Sequence, residues 1–199
     1  MTNPQKNKNR LLILLIFGMT FIPFTIAWIL GGKAPFIEGQ VNKGELITPV
    51  EPTERSDLTG LDAFSTENIA ELQGHWVLLN VVPKEDCNTI CLDAIHKTKQ
   101  LRLMLNKDLT RTRRAVVFFK DVKTDIANQW LQDDKVLLKV KPSAALSTKI
   151  AKIRSGAISD GILLLMDPLG NLMMQYEPGF DPYKVKSDLM HLLRISQIG

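Results

Sequence analysis

The longest apolar stretch in the chain is Leu11–Leu30, LLILLIFGMTFIPFTIAWIL, a run of 20 residues without a charge. At about 1.5 Å of rise per helical residue it spans about 30 Å, the thickness of a bilayer core. Pro23 and Gly18 are tolerated in such a helix, and Trp28 stands where an interfacial aromatic belongs. Beyond it the patterns shorten. Trp76–Val82, WVLLNVV, is continuously apolar and bounded by Gly74 and Pro83, which predicts a strand buried on both faces. Ala115–Phe119 and Ile162–Met166 predict two more such strands. Between the first two, Ile90, Cys91, Ala94, Ile95, Leu101, Met104 and Leu105 predict a helix from Cys87 to about Asn106. A short helix is expected over Asp125–Leu131, a strand over Val136–Val140 and a helix over Ser143–Ile153. Asp167-Pro168-Leu169-Gly170 has the Pro and Gly of a tight turn, after which Asn171–Tyr176 returns antiparallel. Asp181 and Pro182 open a last helix, with Val185, Leu189, Leu192 and Leu193 on one face.

The order β-α-β-α-β-α-β-β-α predicts an α/β fold, a mixed sheet with helices on its faces. A βαβ unit followed by a ββα unit is the thioredoxin-like arrangement. The chain then divides into a tail (1–10), a transmembrane anchor (11–30), a tether (31–57) and a thioredoxin-like domain (58–199). Within the tether, one short strand is expected around Glu45–Ile47.

Charge sharpens this division. The formal net charge is +4, but Lys6, Lys8, Arg10 and Lys33 all lie in the first 33 residues, which hold no acid. Removing those four from the 25 basic residues leaves 21, against 21 acidic residues. The body is neutral, and no basic stripe interleaved with aromatics runs through it, which argues against nucleic-acid binding. Arg111, Arg113 and Arg114 read as a solvated loop before a strand. The basic flank of the apolar run keeps the N-terminus cytoplasmic and sends the rest across the membrane. A cleaved signal peptide would have a shorter apolar core and a small-residue cleavage site, for which Trp28-Ile29-Leu30 is a poor substitute. The tail is not an Arg/Ser-rich transit peptide. These features predict a single-pass bacterial inner-membrane protein with a periplasmic C-terminal domain.

That placement bears on the only two cysteines, Cys87 and Cys91, because paired thiols oxidise readily in a periplasm. The Cys87-Asn88-Thr89-Ile90-Cys91 segment follows the first strong strand and opens a helix. Backbone N–H groups at a helix N-terminus stabilise a thiolate. A spacing of four places both sulfurs on one face of the first turn, within reach of a disulfide. The same two thiolates could bind Cu(I). Read without function, the pair is two small apolar residues, one at a helix start and one on its buried face.

Three segments together resemble the Sco/SenC family: Gly74–Asn80, the C-x-x-x-C pair, and Leu165–Asn171. The chain is similar above all to the short bacterial transmembrane variant of that family. The segments shared with that variant are N-K-G-E-L-I-T-P at Asn42–Pro49 and D-P-x-G-N…Y-x-P-G at Asp167–Gly179. The resemblance spans roughly residues 10–199. It implies a membrane-anchored thioredoxin-like protein of cytochrome c oxidase assembly, carrying copper or reducing oxidase cysteines. The partner it implies is an oxidase subunit or its assembly factors.

The family holds copper with two cysteines and a distant histidine in the loop before the strand that ends in D-P-x-G. Here that loop, Arg154–Gly161, has no histidine. The prolines within and after the cysteine motif are replaced as well, as Asn88-Thr89-Ile90 and Leu92 show, and the Pro before the late strand is absent. His75 begins the strand that leads to the motif, roughly 20 Å away at about 3.3 Å per residue. His96 lies past Cys91 on the solvent side of the helix, and His191 is in the last helix. Met166, Met173 and Met174 read as core residues of strands.

Three functions compete. In the first, Cys87 attacks a target disulfide and Cys91 resolves the mixed disulfide, making the protein a thiol–disulfide oxidoreductase. In the second, both thiolates carry Cu(I). The third is a scaffold that has lost its chemistry, motivated by the missing histidine, prolines and acidic neighbours.

Overall fold

The computed structural model describes residues 4–33 and 42–196. Residues 34–41 of the expected tether, the first three of the tail and the last three of the chain lie outside the described residues. The chain forms two compact units, residues 1–41 and 42–199.

The first unit contains helix α1 (Pro4–Lys33). Within it Lys8–Ile29, 22 residues with a mean hydropathy of 2.3, is long and apolar enough to cross a membrane. Pro23 removes one backbone donor. The Thr20 and Thr25 hydroxyls on either side donate to the Ile16 and Phe21 carbonyls one turn back, which satisfies both hydroxyls within the helix.

The second unit is a seven-stranded sheet with helices on both faces. Its strands are β1 (Glu45–Pro52), β2 (Leu58–Gly60), β3 (Trp76–Val82), β4 (Thr112–Phe118), β5 (Leu138–Pro142), β6 (Leu163–Met166) and β7 (Asn171–Tyr176). Its helices are α2 (Ala63–Asn68), α3 (Thr89–Leu103), α4 (Thr124–Trp130), α5 (Ala144–Ile153) and α6 (Pro182–Ile195). The order across the sheet is β1-β7-β6-β3-β4-β5-β2. Strands β3, β4 and β5 run parallel, whereas β6 is antiparallel to β3. This is the expected thioredoxin-like layout, with β3-α3-β4 as the βαβ unit and β6-β7-α6 as the ββα unit.

Every residue of β3 is buried, which explains its unbroken apolar run. Val77, Leu79 and Val81 face a core closed by Leu146 and Ile150 of α5. Trp76 and Leu78 face α3 and α6 through Ala94, Leu101, Val185 and Leu189. A third cluster holds Val82, Cys87, Cys91, Ile95, Val116, Phe118 and Ala127 at the C-terminal end of β3.

The sheet takes in residues that the sequence pattern assigns to the tether. Strand β1 pairs antiparallel with β7 and buries Ile47. Its entry is held by Asp188 of α6, whose carboxylate accepts the Lys43 and Gly44 amides and the Tyr176 hydroxyl. Gly44 is required there, because a Cβ would lie 2.5 Å from the Tyr176 ring. Strand β1 is mostly exposed and lacks a clean alternation, and β2 has three residues, so neither shows a hydrophobic period.

The arginine cluster also differs from expectation. Arg113 and Arg114 are inside β4, not in a solvated loop. Arg114 is only 2 % exposed and pairs with buried Asp134. It also donates to the Ile95 carbonyl and to Thr98, and Thr98 donates to Asn80 of β3. Arg113 pairs with Glu71, and Arg111 donates to the Leu193 and Ser196 carbonyls at the end of α6. The cluster ties β4 to its neighbours, a role that charge spacing alone does not reveal.

Burial pulls the Arg114 pKa down and Asp134 opposes that pull, so the pair is sensitive to loss of either partner. Asp134→Ala is expected to destabilise the domain by about 3–5 kcal/mol, read by denaturant unfolding. Tyr176 offers a second test. Burial, followed by the nearby Asp188 carboxylate, pushes its hydroxyl well above the ordinary tyrosine range. A raised folded-state pKa contributes stability below the unfolded value of about 10, and that stability is lost as pH rises above it. Tyr176→Phe is expected to flatten this alkaline loss in unfolding curves taken between pH 8 and about 11.

Candidate functional site

Strand β3 ends at Val82, and residues 83–88 lead from it into α3. Asn88 is the N-cap residue: its side-chain carbonyl accepts the Cys91 amide at 3.0 Å. Cys87 therefore stands just before the cap and Cys91 in the first helical turn. Their Cα atoms are 5.3 Å apart and the sulfurs are joined as a disulfide. Cys87 is 7 % exposed and Cys91 2 %, both over the apolar cluster at the end of β3. Ile90 and Leu92, beside them, are exposed.

The loop before β6 lies against this turn because of strand direction. Strand β6 is antiparallel to β3, so the chain enters β6 beside the exit of β3, with Asn80 opposite Leu163. The Val81 amide donates to the Ile162 carbonyl, extending that contact. Asp160 then reaches the cysteine turn. Its Oδ2 accepts the Asn88 side-chain amide at 2.9 Å and the Lys84 ammonium at 2.8 Å. Gly161 touches the turn from the same side. Its φ is +85°, and a Cβ there would meet Ile90 Cγ2 at 2.8 Å and the Ile90 carbonyl oxygen at 3.0 Å.

Asp160 and Lys84 are the residues that sequence reasoning missed. The scaffold reading rests partly on missing acidic neighbours, and Asp160 is such a neighbour. Nothing in the sequence pattern places it there: the antiparallel pairing of β6 with β3 brings Asp160-Gly161 to the end of β3. The exposed salt bridge from Lys84 raises the lysine's pKa.

The three histidines stay apart from the cysteines in their roles. His75 is half-buried before the start of β3, at the far end from the cysteines, with Nδ1 on the Gln73 carbonyl. His96 is exposed on α3 and pairs with Gln100, and His191 is exposed on α6. Met166 and Met174 are buried in the two cores on opposite faces of the sheet. Among the described residues, no group of three or more His, Cys, Asp or Glu could hold a metal ion. Once reduced, two thiolates one turn apart suit Cu(I), but the facing loop offers a hard carboxylate and no imidazole.

Gly161→Ala is expected to cost about 1–3 kcal/mol of stability, because the positive φ and the contact with Ile90 both oppose a side chain. It is also expected to speed amide hydrogen exchange at Ile90 and Cys91. An unchanged exchange pattern there would separate the loop from the cysteine turn.

Comparisons with known proteins agree with this architecture. The family described as transmembrane-like, thioredoxin-like, C-terminal domain matches residues 76–196. A search of curated protein sequences returns no match. Among solved structures, apo Sco1 from Thermus thermophilus superposes with a TM-score of 0.55 at 15% identity, covering 76% of this chain and 97% of its own. Copper-bound yeast Sco1 gives 0.53 at 13% identity, covering 77% and 93%. BsSco, a member of the Sco family of cytochrome c oxidase assembly proteins in which a disulfide switch is described, gives 0.52 at 15% identity, covering 79% and 99%. At these identities the likeness establishes a shared fold. The chain belongs to the transmembrane-like, thioredoxin-like C-terminal domain family, with a Sco-like form of the thioredoxin fold.

Proposed function

We propose that this protein is a single-pass membrane-anchored, periplasmic thioredoxin-like protein that assists cytochrome c oxidase assembly by thiol–disulfide exchange at Cys87 and Cys91. The observation that carries the reading is the disulfide between the two cysteines at the start of α3. A pair at a helix N-terminus, just past a strand end, is suited to exchange. The anchor is α1, whose apolar span is long enough for a bilayer and whose N-terminal basic flank favours a cytoplasmic tail. The assembly role follows the Sco structures that share the fold, and the partner is an oxidase subunit or one of its assembly factors.

In this scheme the reduced Cys87 thiolate attacks a disulfide of the partner, forming a mixed disulfide and releasing one partner thiol. The Cys91 thiolate then attacks Cys87, releasing the second partner thiol and restoring the intramolecular disulfide. Cys87 is the attacking residue because it is the more exposed of the two and precedes the cap.

A second reading takes copper as cargo. Copper-bound yeast Sco1 shares the fold, and Cys87 and Cys91, once reduced, supply two soft ligands. In that reading they hold Cu(I) for transfer to the oxidase.

Three measurements separate these readings. Cys91→Ser is expected to trap a mixed disulfide through Cys87 with the partner, recoverable on non-reducing gels, whereas Cys87→Ser traps none. A Cys87→Ser/Cys91→Ser variant that restores oxidase assembly in a deletion strain would sink both cysteine readings and leave the scaffold. Stoichiometric Cu(I) uptake by the reduced protein, abolished by Cys87→Ser, would instead favour copper delivery.

A further inference from the structure

The Asp160 carboxylate has one oxygen unused. Its Oδ2 receives the Asn88 and Lys84 donors, while its Oδ1 is shielded from solvent and has no hydrogen-bond partner among the described residues. The side chain as a whole is 10 % exposed. A buried polar oxygen without a donor is unfavourable and rare in native proteins, so it calls for a physical reason. The oxidised cysteine pair supplies none, since a disulfide carries no hydrogen to donate. Reduction changes that by creating two S–H groups in the same turn.

Both groups that hold Asp160 flank Cys87 in the chain: Lys84 precedes it and Asn88 follows it. Gly161, next to Asp160, presses on Ile90 between the cysteines. Cys91, in the first turn of α3, packs into the apolar cluster with Ile95 and Phe118 and is the less exposed of the pair. We propose that Asp160 Oδ1 is an acceptor reserved for the reduced state, which takes the Cys87 S–H when the disulfide opens and so tilts the pair toward the dithiol. Asp160 is then a positioning residue for the exchange chemistry, and this inference rests on the redox reading of Cys87 and Cys91.

The step balances with a dithiol reductant. Two electrons and two protons pass from the reductant, the Cys87–Cys91 S–S bond breaks, two S–H bonds form, and the reductant closes to its own disulfide. The acceptor makes the reduced state less costly without altering that stoichiometry. Formation of one hydrogen bond on reduction corresponds to about a fivefold shift in the equilibrium.

The test uses the full chain in detergent micelles, reduced with dithiothreitol and examined by infrared absorption in the S–H stretching region. One of the two S–H bands is expected at lowered frequency, and Asp160→Asn is expected to return it to the position of an unbonded thiol. Against a glutathione buffer, Asp160→Asn is expected to move the equilibrium about fivefold toward the disulfide. Two unbonded S–H bands in the native protein would overturn the proposal, and this reading needs no variant to fold. An unchanged equilibrium in Asp160→Asn, or a shift toward the dithiol, would overturn it as well. A disulfide that dithiothreitol cannot open would instead overturn the redox reading beneath it.

Discussion

Burial of β3 on both faces is the constraint that organises the molecule. A strand with seven buried residues must have a helical layer on each side and a paired strand on each edge. Here the layers are α5 on one face and α3 with α6 on the other, and the edges are β4 and β6. Because β4 is parallel to β3, the chain must cross over between them, and α3 is that crossover. Because β6 is antiparallel, its entry lies beside the exit of β3. The cysteine turn and the Asp160 loop therefore meet through strand direction before any side chain makes contact.

Two polar clusters inside this frame tie distant elements together. Arg114 and Asp134 form a buried ion pair under α3, completed by Thr98 and the Ile95 carbonyl. A buried pair of this kind contributes little net stability over an apolar substitute but is costly to break. It joins β4 to α3 and to the segment that follows α4. At the opposite edge, Asp188 gathers two backbone amides and a tyrosine hydroxyl, fastening β1 to the sheet.

The cysteine site is assembled from three parts of the chain with different jobs. Asn88 caps α3 and links the turn to Asp160, Lys84 neutralises part of the carboxylate's charge, and Gly161 allows the loop to lie close to Ile90. The donor set is softer at the cysteines and harder at the loop. That contrast suits thiol chemistry with a hydrogen-bond acceptor nearby, and offers Cu(I) the two thiolates alone.

The sequence by itself determined the strongly periodic parts. The apolar run of α1, the buried strands β3, β4 and β6, the DPLG turn and the capped last helix all appear in its pattern, because each is dictated by local burial or local turn chemistry. The two cysteines were legible for the same reason, as a motif at a strand-to-helix junction. Of β1 only the first part, Glu45–Ile47, was legible, and the three-residue β2 was not, since exposed or very short strands carry no hydrophobic period. Arg114 read as solvated because charge spacing says nothing of a buried partner twenty residues away, and Asp160 read as one polar residue in a loop. Only the tertiary structure decided those roles, because pairing β6 antiparallel to β3 is a long-range choice that sets which distant side chains face the cysteines.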